Sequence, residues 1–118
     1  MNVVAYGDCR LLIVSKEHIT FQLKTKATWV GAFSHLAMRK RLSVDKALVF
    51  KKIKLNKGDG LLMFTDGIDE CIYEQPTIDI GHIAKLASKA PNRAFDAILK
   101  EVFSNGAEDN ASLSIIRL

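Results

Sequence analysis

The sequence has only two cysteines, Cys9 and Cys71, two prolines and one tryptophan, and no apolar run in it exceeds four residues. Two cysteines this far apart make no disulfide framework, and neither belongs to a closely spaced zinc-binding pair, so reduced thiols are expected. The longest apolar runs, such as Leu11 to Val14 and Leu61 to Phe64, fall far short of the ~20 residues needed to cross a bilayer. No membrane partner is expected. The stretch Met1 to Tyr6 lacks a basic leader ahead of an apolar segment and a small-residue cleavage pattern, which points away from secretion and toward a cytoplasmic location. Internal repeats, linkers and low-complexity stretches are also missing. The 118 residues, 48% of them hydrophobic, are therefore expected to form one domain, 1–118, around one core.

What is present is an uneven distribution of charge. Lys and Arg outnumber Asp and Glu by 17 to 13. Eight of the basic residues (Arg39, Lys40, Arg41, Lys46, Lys51, Lys52, Lys54, Lys57) lie between Arg39 and Lys57, where Asp45 is the only acid. Asp66 to Glu74 holds four acidic residues and no basic one. A basic face and an acidic site follow. The basic strip could attract an acidic partner or nucleic acid. Lysines lining an edge strand are the favoured explanation, because they discourage edge-to-edge pairing, and without interleaved aromatics nucleic acid ranks last among partners.

Periodicity supplies the elements. Val3 to Tyr6, the Gly7-Asp8 pair and Cys9 to Val14 read as strand, tight turn and strand. Ile19, Phe21 and Leu23 alternate with polar residues, the period of a strand buried on one face. Trp29 to Phe33 is open to an extended reading and Ser34 to Leu42 to a short helix. Between Ala47 and Leu55 the alternation changes phase, which predicts a bulge near Lys51 and Lys52. Asn56 to Gly60 is a turn, Leu61 to Phe64 a strand buried on both faces, and Asp66-Gly67 by itself a hairpin turn.

After Pro76 the period becomes helical. Ile80, Ile83, Leu86 and Ala87 form a stripe with Thr77 or Asp79 as N-cap. Pro91 starts a second helix, in which Ala94, Ile98 and Val102 run beside a row of Phe95, Leu99 and Phe103, and Asn105-Gly106 ends it. Phe95 and Phe103 are expected in the core. Ala111 to Leu118 closes the chain as a strand with Leu113, Ile115 and Ile116 buried. The order of elements is α+β, an antiparallel sheet with two helices packed on one face.

Three short motifs occur in sequence. Gly7-Asp8-Cys9-Arg10 resembles the Gly-Asp-Ser-Arg turn of the metal-dependent protein serine/threonine phosphatases, the PPM or type 2C enzymes and their bacterial stress- and sporulation-regulating relatives, with cysteine in place of serine. Lys57 to Glu70 is similar to that family's Gly-Asp, apolar strand, Thr/Ser-Asp-Gly signature. Glu108-Asp109-Asn110-Ala111 resembles its Asp-Asn pair leading into the final strand. The motifs keep the family's order, with two helices between the second and third, and the resemblance covers essentially the whole chain as the family's C-terminal half.

The resemblance implies half of an αββα sandwich and hydrolysis of phosphoserine or phosphothreonine in a protein substrate by water activated on Mn²⁺ or Mg²⁺. It implies Asp66 and Asp109 as metal ligands, Asp8 and Glu70 at a further, weaker metal position, and Asn110 beside the site. Hard cations of this kind select such oxygen ligands. Cys9 is read as a small buried hydrophobe rather than a reactive thiol, and His18, His35 and His82 as ordinary. The family's Asp-Gly-x-Gly motif does not occur in this sequence, so the chain is expected to be incomplete as a catalyst when alone. The alternative is a non-catalytic interaction module that keeps the fold. In either case half of a sandwich leaves an apolar sheet face for a partner chain or a homodimer.

Overall fold

The computed structural model describes residues 1–5, 7–25, 49–106 and 109–118. The expected strand at Trp29 to Phe33, the helix at Ser34 to Leu42, and the basic residues Arg39, Lys40, Arg41 and Lys46 lie outside the described residues. No helix among the described residues is long and apolar enough to cross a membrane.

Among the described residues, six strands form two antiparallel sheets. Strands β1 (Asn2–Ala5) and β4 (Val49–Lys52) pair as a two-stranded ribbon, and β3 (His18–Lys24), β2 (Cys9–Ser15), β5 (Gly60–Thr65) and β6 (Leu113–Arg117) lie side by side in that order. The helical segments are α1 (Asp66–Asp69), which runs on into a π-turn over Glu70–Glu74, α2 (Ile80–Lys89) and α3 (Pro91–Ser104).

The pleat divides the two central strands between two cores. Leu12 and Val14 of β2 and Leu62 and Phe64 of β5 pack against Ile83, Ala84, Ala87, Ala94, Ile98 and Val102 of the helices. Their neighbours Leu11, Ile13 and Leu61 face the other way and meet Ile53, with Val3, Phe21, Leu23 and Leu55 around them. Both helices therefore sit on one face, as the α+β pattern requires, and the ribbon covers part of the other. Complete burial of such aliphatic side chains stabilises the fold by about 1.5–3 kcal/mol each relative to leaving them exposed. Met63, on the ribbon side, stays 39% exposed beside a cavity of about 380 Å³ lined by Val3, Leu11, Leu23 and Leu113 among others.

The helix boundaries follow their chemistry. The Asp79 carboxylate accepts a hydrogen bond from Gly81 N at 2.8 Å and caps α2, Pro91 begins α3, and Gly106 at φ 74° follows its last turn. Replacing Asp79 by alanine is expected to cost about 1 kcal/mol, measured as a lower urea midpoint.

Several sequence expectations are corrected. Strands β1 and β2 do not pair, nor do β4 and β5, so Gly7-Asp8 and Asn56 to Gly60 carry the chain from ribbon to sheet rather than closing hairpins. Asn56 to Gly60 is nonetheless a built turn: Asp59 Oδ2 accepts from Asn56 N at 2.8 Å, and Gly58 has φ 91°. No bulge interrupts β4, which pairs in continuous register from Asn2↔Lys52 to Ala5↔Val49. The phase changes because Phe50 points outward, 67% exposed, while Ile53 points in. The register shift in the sheet lies instead between Ile13 and Val14 of β2. Phe95 and Phe103 are exposed because the row Ala94, Ile98, Val102 already fills the groove between α3 and the sheet, and Ile116, opposite Leu61 on the other face, is exposed as well. Lys51, Lys52 and Lys54 are exposed along the ribbon, as expected of a solvated edge.

Candidate functional site

Asp8, Asp66 and the Asp109-Asn110 pair, one part of each sequence motif, lie at one end of the four-stranded sheet. Because β2 and β5 run antiparallel with Cys9 opposite Thr65, the residue before β2, Asp8, and the residue after β5, Asp66, are brought to the same edge. Thr65 is the last extended residue, at φ −85° and ψ 173°. The Asp-Gly pair then opens α1 rather than turning a hairpin, since burying Ile68 completely requires the chain to fold back over the sheet.

Gly67 fixes the third member. A Cβ at this position would stand 2.8 Å from the backbone oxygen of Asn110 and 3.2 Å from that of Asp109, so only glycine lets α1 lie directly on the Asp109-Asn110 backbone. Thr65 tightens the junction: its hydroxyl donates to Asn110 O at 3.3 Å and accepts from Ser112 N at 3.0 Å, and its amide donates to Ser112 O at 3.2 Å. Asp66 and Asp109 thus start from adjacent backbone. Each is steadied by a bond to the following amide, Asp66 Oδ1 from Gly67 N at 3.0 Å and Asp109 Oδ1 from Asn110 N at 2.6 Å. Glu70 is exposed one helical turn beyond Asp66 and so shares its side of α1.

Cys9 is exposed, not buried as the sequence suggested. Partial desolvation pushes its thiol up, with the carboxylates of Asp8 and Asp66 adding to the effect. A thiol held protonated in this way is a poor nucleophile.

Sequence reasoning missed the cluster directly behind this edge. Arg10, buried at the start of β2, donates from Nε to Asp69 Oδ1 and from Nη2 to Asp69 Oδ2 at 3.2 Å, and its guanidinium stacks 3.8 Å from the centroid of the Tyr73 ring. Lys24 Nζ reaches Asp69 Oδ2 at 2.7 Å and Glu74 Oε1 at 2.8 Å. Burial pushes the Asp69 carboxyl up, but the bonds from Arg10 and Lys24 outweigh it and hold it below the ordinary carboxylate range. The bonds to Asp69 and to Glu74 hold the Lys24 ammonium above its ordinary range. Asp69 and Glu74 are therefore spent in ion pairs, so the four acids between Asp66 and Glu74 do not form one acidic site. The only local sign in sequence was a lone arginine heading an otherwise apolar strand, because its partner is 59 residues away.

Among the described residues no group of three His, Cys, Asp or Glu side chains stands ready as a metal cage. What the structure brings together at this end is the backbone of Asp66 and Asp109, with Asp8 just before β2.

No protein-family model matches the sequence, and no curated protein matches it either. Solved structures do match in fold. The PPM Ser-Thr phosphatase MsPP from Mycobacterium smegmatis, determined with cacodylate, superposes with a TM-score of 0.66 at 20% identity over 99% of this chain and 55% of its own. PppA of Pseudomonas aeruginosa, described as a key regulatory component of T6SS, gives 0.68 at 18% identity over 98% and 51%. The catalytic domain of the serine/threonine phosphatase PstP in complex with two manganese ions gives 0.64 at 14% identity over 97% and 51%. This chain spans about half the length of the structures it matches, and it therefore has, across nearly all of its own length, about half of the PPM serine/threonine phosphatase fold.

Proposed function

We propose that this chain is the C-terminal portion of a metal-dependent protein serine/threonine phosphatase, in which Asp66 and Asp109 hold Mn²⁺ or Mg²⁺ for hydrolysis of phosphoserine or phosphothreonine in a protein substrate. The observation that carries the reading is the contact of Gly67 with the Asp109-Asn110 backbone, which joins two carboxylates far apart in sequence at one sheet edge. Asp8 and Glu70 flank them and would bind a further cation more weakly. A divalent ion there would supply an acidified water and neutralise charge on the phosphoryl oxygens.

The chain's own residues set the geometry for that chemistry. Gly67 N and Asn110 N each hold one carboxylate oxygen, which leaves the second oxygen of Asp66 and of Asp109 for the ion. Thr65 ties β5 to the approach of β6, and the Arg10–Asp69 pair ties α1 to β2, so the two ligands cannot drift apart. Two protein carboxylates leave most coordination positions to water. Hydrolysis therefore requires further carboxylates, which sequence corresponding to the other half of the matched fold would bring.

Titration calorimetry with Mn²⁺ tests the reading. Loss of a group that merely supports a metal ligand costs about 10–100-fold in affinity, so Asp66→Asn or Asp109→Asn should cost at least as much, and the double variant should give no heat of binding. Equal heats for the wild type and the double variant would refute it.

A further inference from the structure

The opposite end of the sheet carries a second charged feature that the phosphatase reading does not use. There the β2–β3 turn, the Asn56 to Gly60 turn, the end of α2 and the end of β6 surround an open cleft of about 780 Å³. Lys16, Lys57, Lys89 and Arg117 line it, against Glu17 and Asp59 as the lining acids. Both acids are already engaged. Glu17 Oε1 lies 2.5 Å from Lys89 Nζ, and Asp59, 3% exposed, accepts from Asn56 N at 2.8 Å. The bond to Lys89 holds the Glu17 carboxyl below its ordinary range, with the charges of Lys85 and His18 adding to the effect. The Leu118 oxygen nearby accepts from Gly58 N at 2.7 Å. Arg117 Nη1 donates only to the Lys89 carbonyl, at 3.0 Å, and neither Lys16 nor Lys57 has an ion-pair partner among the described residues. Three cations thus face the cleft without a counter-charge of their own.

The backbone supplies an independent sign. Lys16 and Glu17 both have positive φ, 49° and 71°, in a two-residue turn whose unstrained choice is Asn-Gly. Long charged residues kept in the left-handed region are strained, and such strain persists where the side chains serve a purpose. Here the turn holds Lys16 at the mouth of the cleft and Glu17 on Lys89.

We propose that this cleft binds an acidic polypeptide segment through the carboxylates of successive Asp or Glu residues. The three cations come from three separate elements along an open cleft, an arrangement that suits an extended chain better than a single small anion. No Phe, Tyr or Trp lies among the lining residues to offer a large stacking platform for bases, so nucleic acid is disfavoured. The proposal is independent of the phosphatase reading, because the cleft and the Asp66 edge lie at opposite ends of β2 and β5.

The test is fluorescence anisotropy with a labelled peptide of alternating Asp and Glu. Binding should weaken as salt is raised and by about tenfold or more with Lys57→Glu and Arg117→Glu combined, where like charges then oppose the ligand. In a second protein, Lys16→Asn, which leaves the Glu17–Lys89 pair in place, relief of strain should raise the melting temperature while peptide binding falls. No binding by the wild type, unchanged binding in the charge-reversal protein, or tighter binding of a single-stranded oligonucleotide would overturn the proposal. So would a turn variant that melts no higher, or that binds as well as the wild type.

Discussion

Replacing Asp69 by alanine is expected to destabilise the fold by about 3–5 kcal/mol, because it strands a buried guanidinium without its counter-charge. Arg10 and Asp69 side chains are only 10% and 5% exposed, and the pair joins β2 to the α1 turn. Lys24, 39% exposed, can turn back into water when its partner is lost, and Arg10 cannot. Arg10 would keep its long contact to Gln22 Oε1, at 3.5 Å, and its stack on Tyr73, neither of which supplies the lost charge. Replacing both partners, Arg10→Leu with Asp69→Leu, should therefore cost less than Asp69→Ala alone. The dependence on acid has a fixed sign. Since the folded Asp69 titrates below its unfolded value, its contribution is complete above the ordinary carboxylate pKa of about 3.9 and fades as pH falls through the lower folded value. Urea unfolding of the wild type at neutral pH and near pH 3 should show that loss, and Asp69→Asn should show less of it.

Gly67→Ala is the second large effect, expected to cost about 1–3 kcal/mol by overpacking. The added Cβ would press on the Asn110 and Asp109 oxygens, which are backbone atoms and cannot swing aside as a side-chain end would. Gly67 does not have positive φ, so the cost is steric. Gly60→Ala provides the internal comparison, since its Cβ would meet Ala87 O at an ordinary 3.5 Å. The urea midpoint should fall further for Gly67→Ala than for Gly60→Ala, and Mn²⁺ affinity should fall only for Gly67→Ala, because only there is the Asp109 backbone pushed away from Asp66.

What the sequence disclosed and what it hid have separate physical causes. Strand β3 and helices α2 and α3 were legible because burial on one face writes a period into the chain, and Asp79, Pro91 and Gly106 mark helix ends by local chemistry. Strand pairing was not legible. Nothing local says that β1 joins β4 rather than β2, since either partner satisfies the same alternation. Which of two adjacent helical rows faces the sheet was likewise hidden, and the row with Phe95 and Phe103 lost to the smaller Ala94, Ile98 and Val102 that let α3 approach closely. At the candidate site, Asp66 and Asp109 were legible only through a resemblance. Their meeting depends on the absence of a side chain at Gly67 and on a contact between distant segments. Asp69 looked like one more member of an acidic stretch, and only the fold shows that it serves Arg10.

The central claim, a divalent-cation site at the β2–β5 end of the sheet, is tested most directly by titrating Mn²⁺ into ¹⁵N-labelled protein and following paramagnetic broadening of the amide signals. Gly67, Ile68, Asp109 and Asn110 are expected to broaden first, at cation levels that leave Lys57, Gly58 and Arg117 at the far end sharp, and Asp66→Asn should abolish the selectivity. Uniform broadening across the sheet, or earliest broadening away from Gly67 and Asn110, would contradict the account.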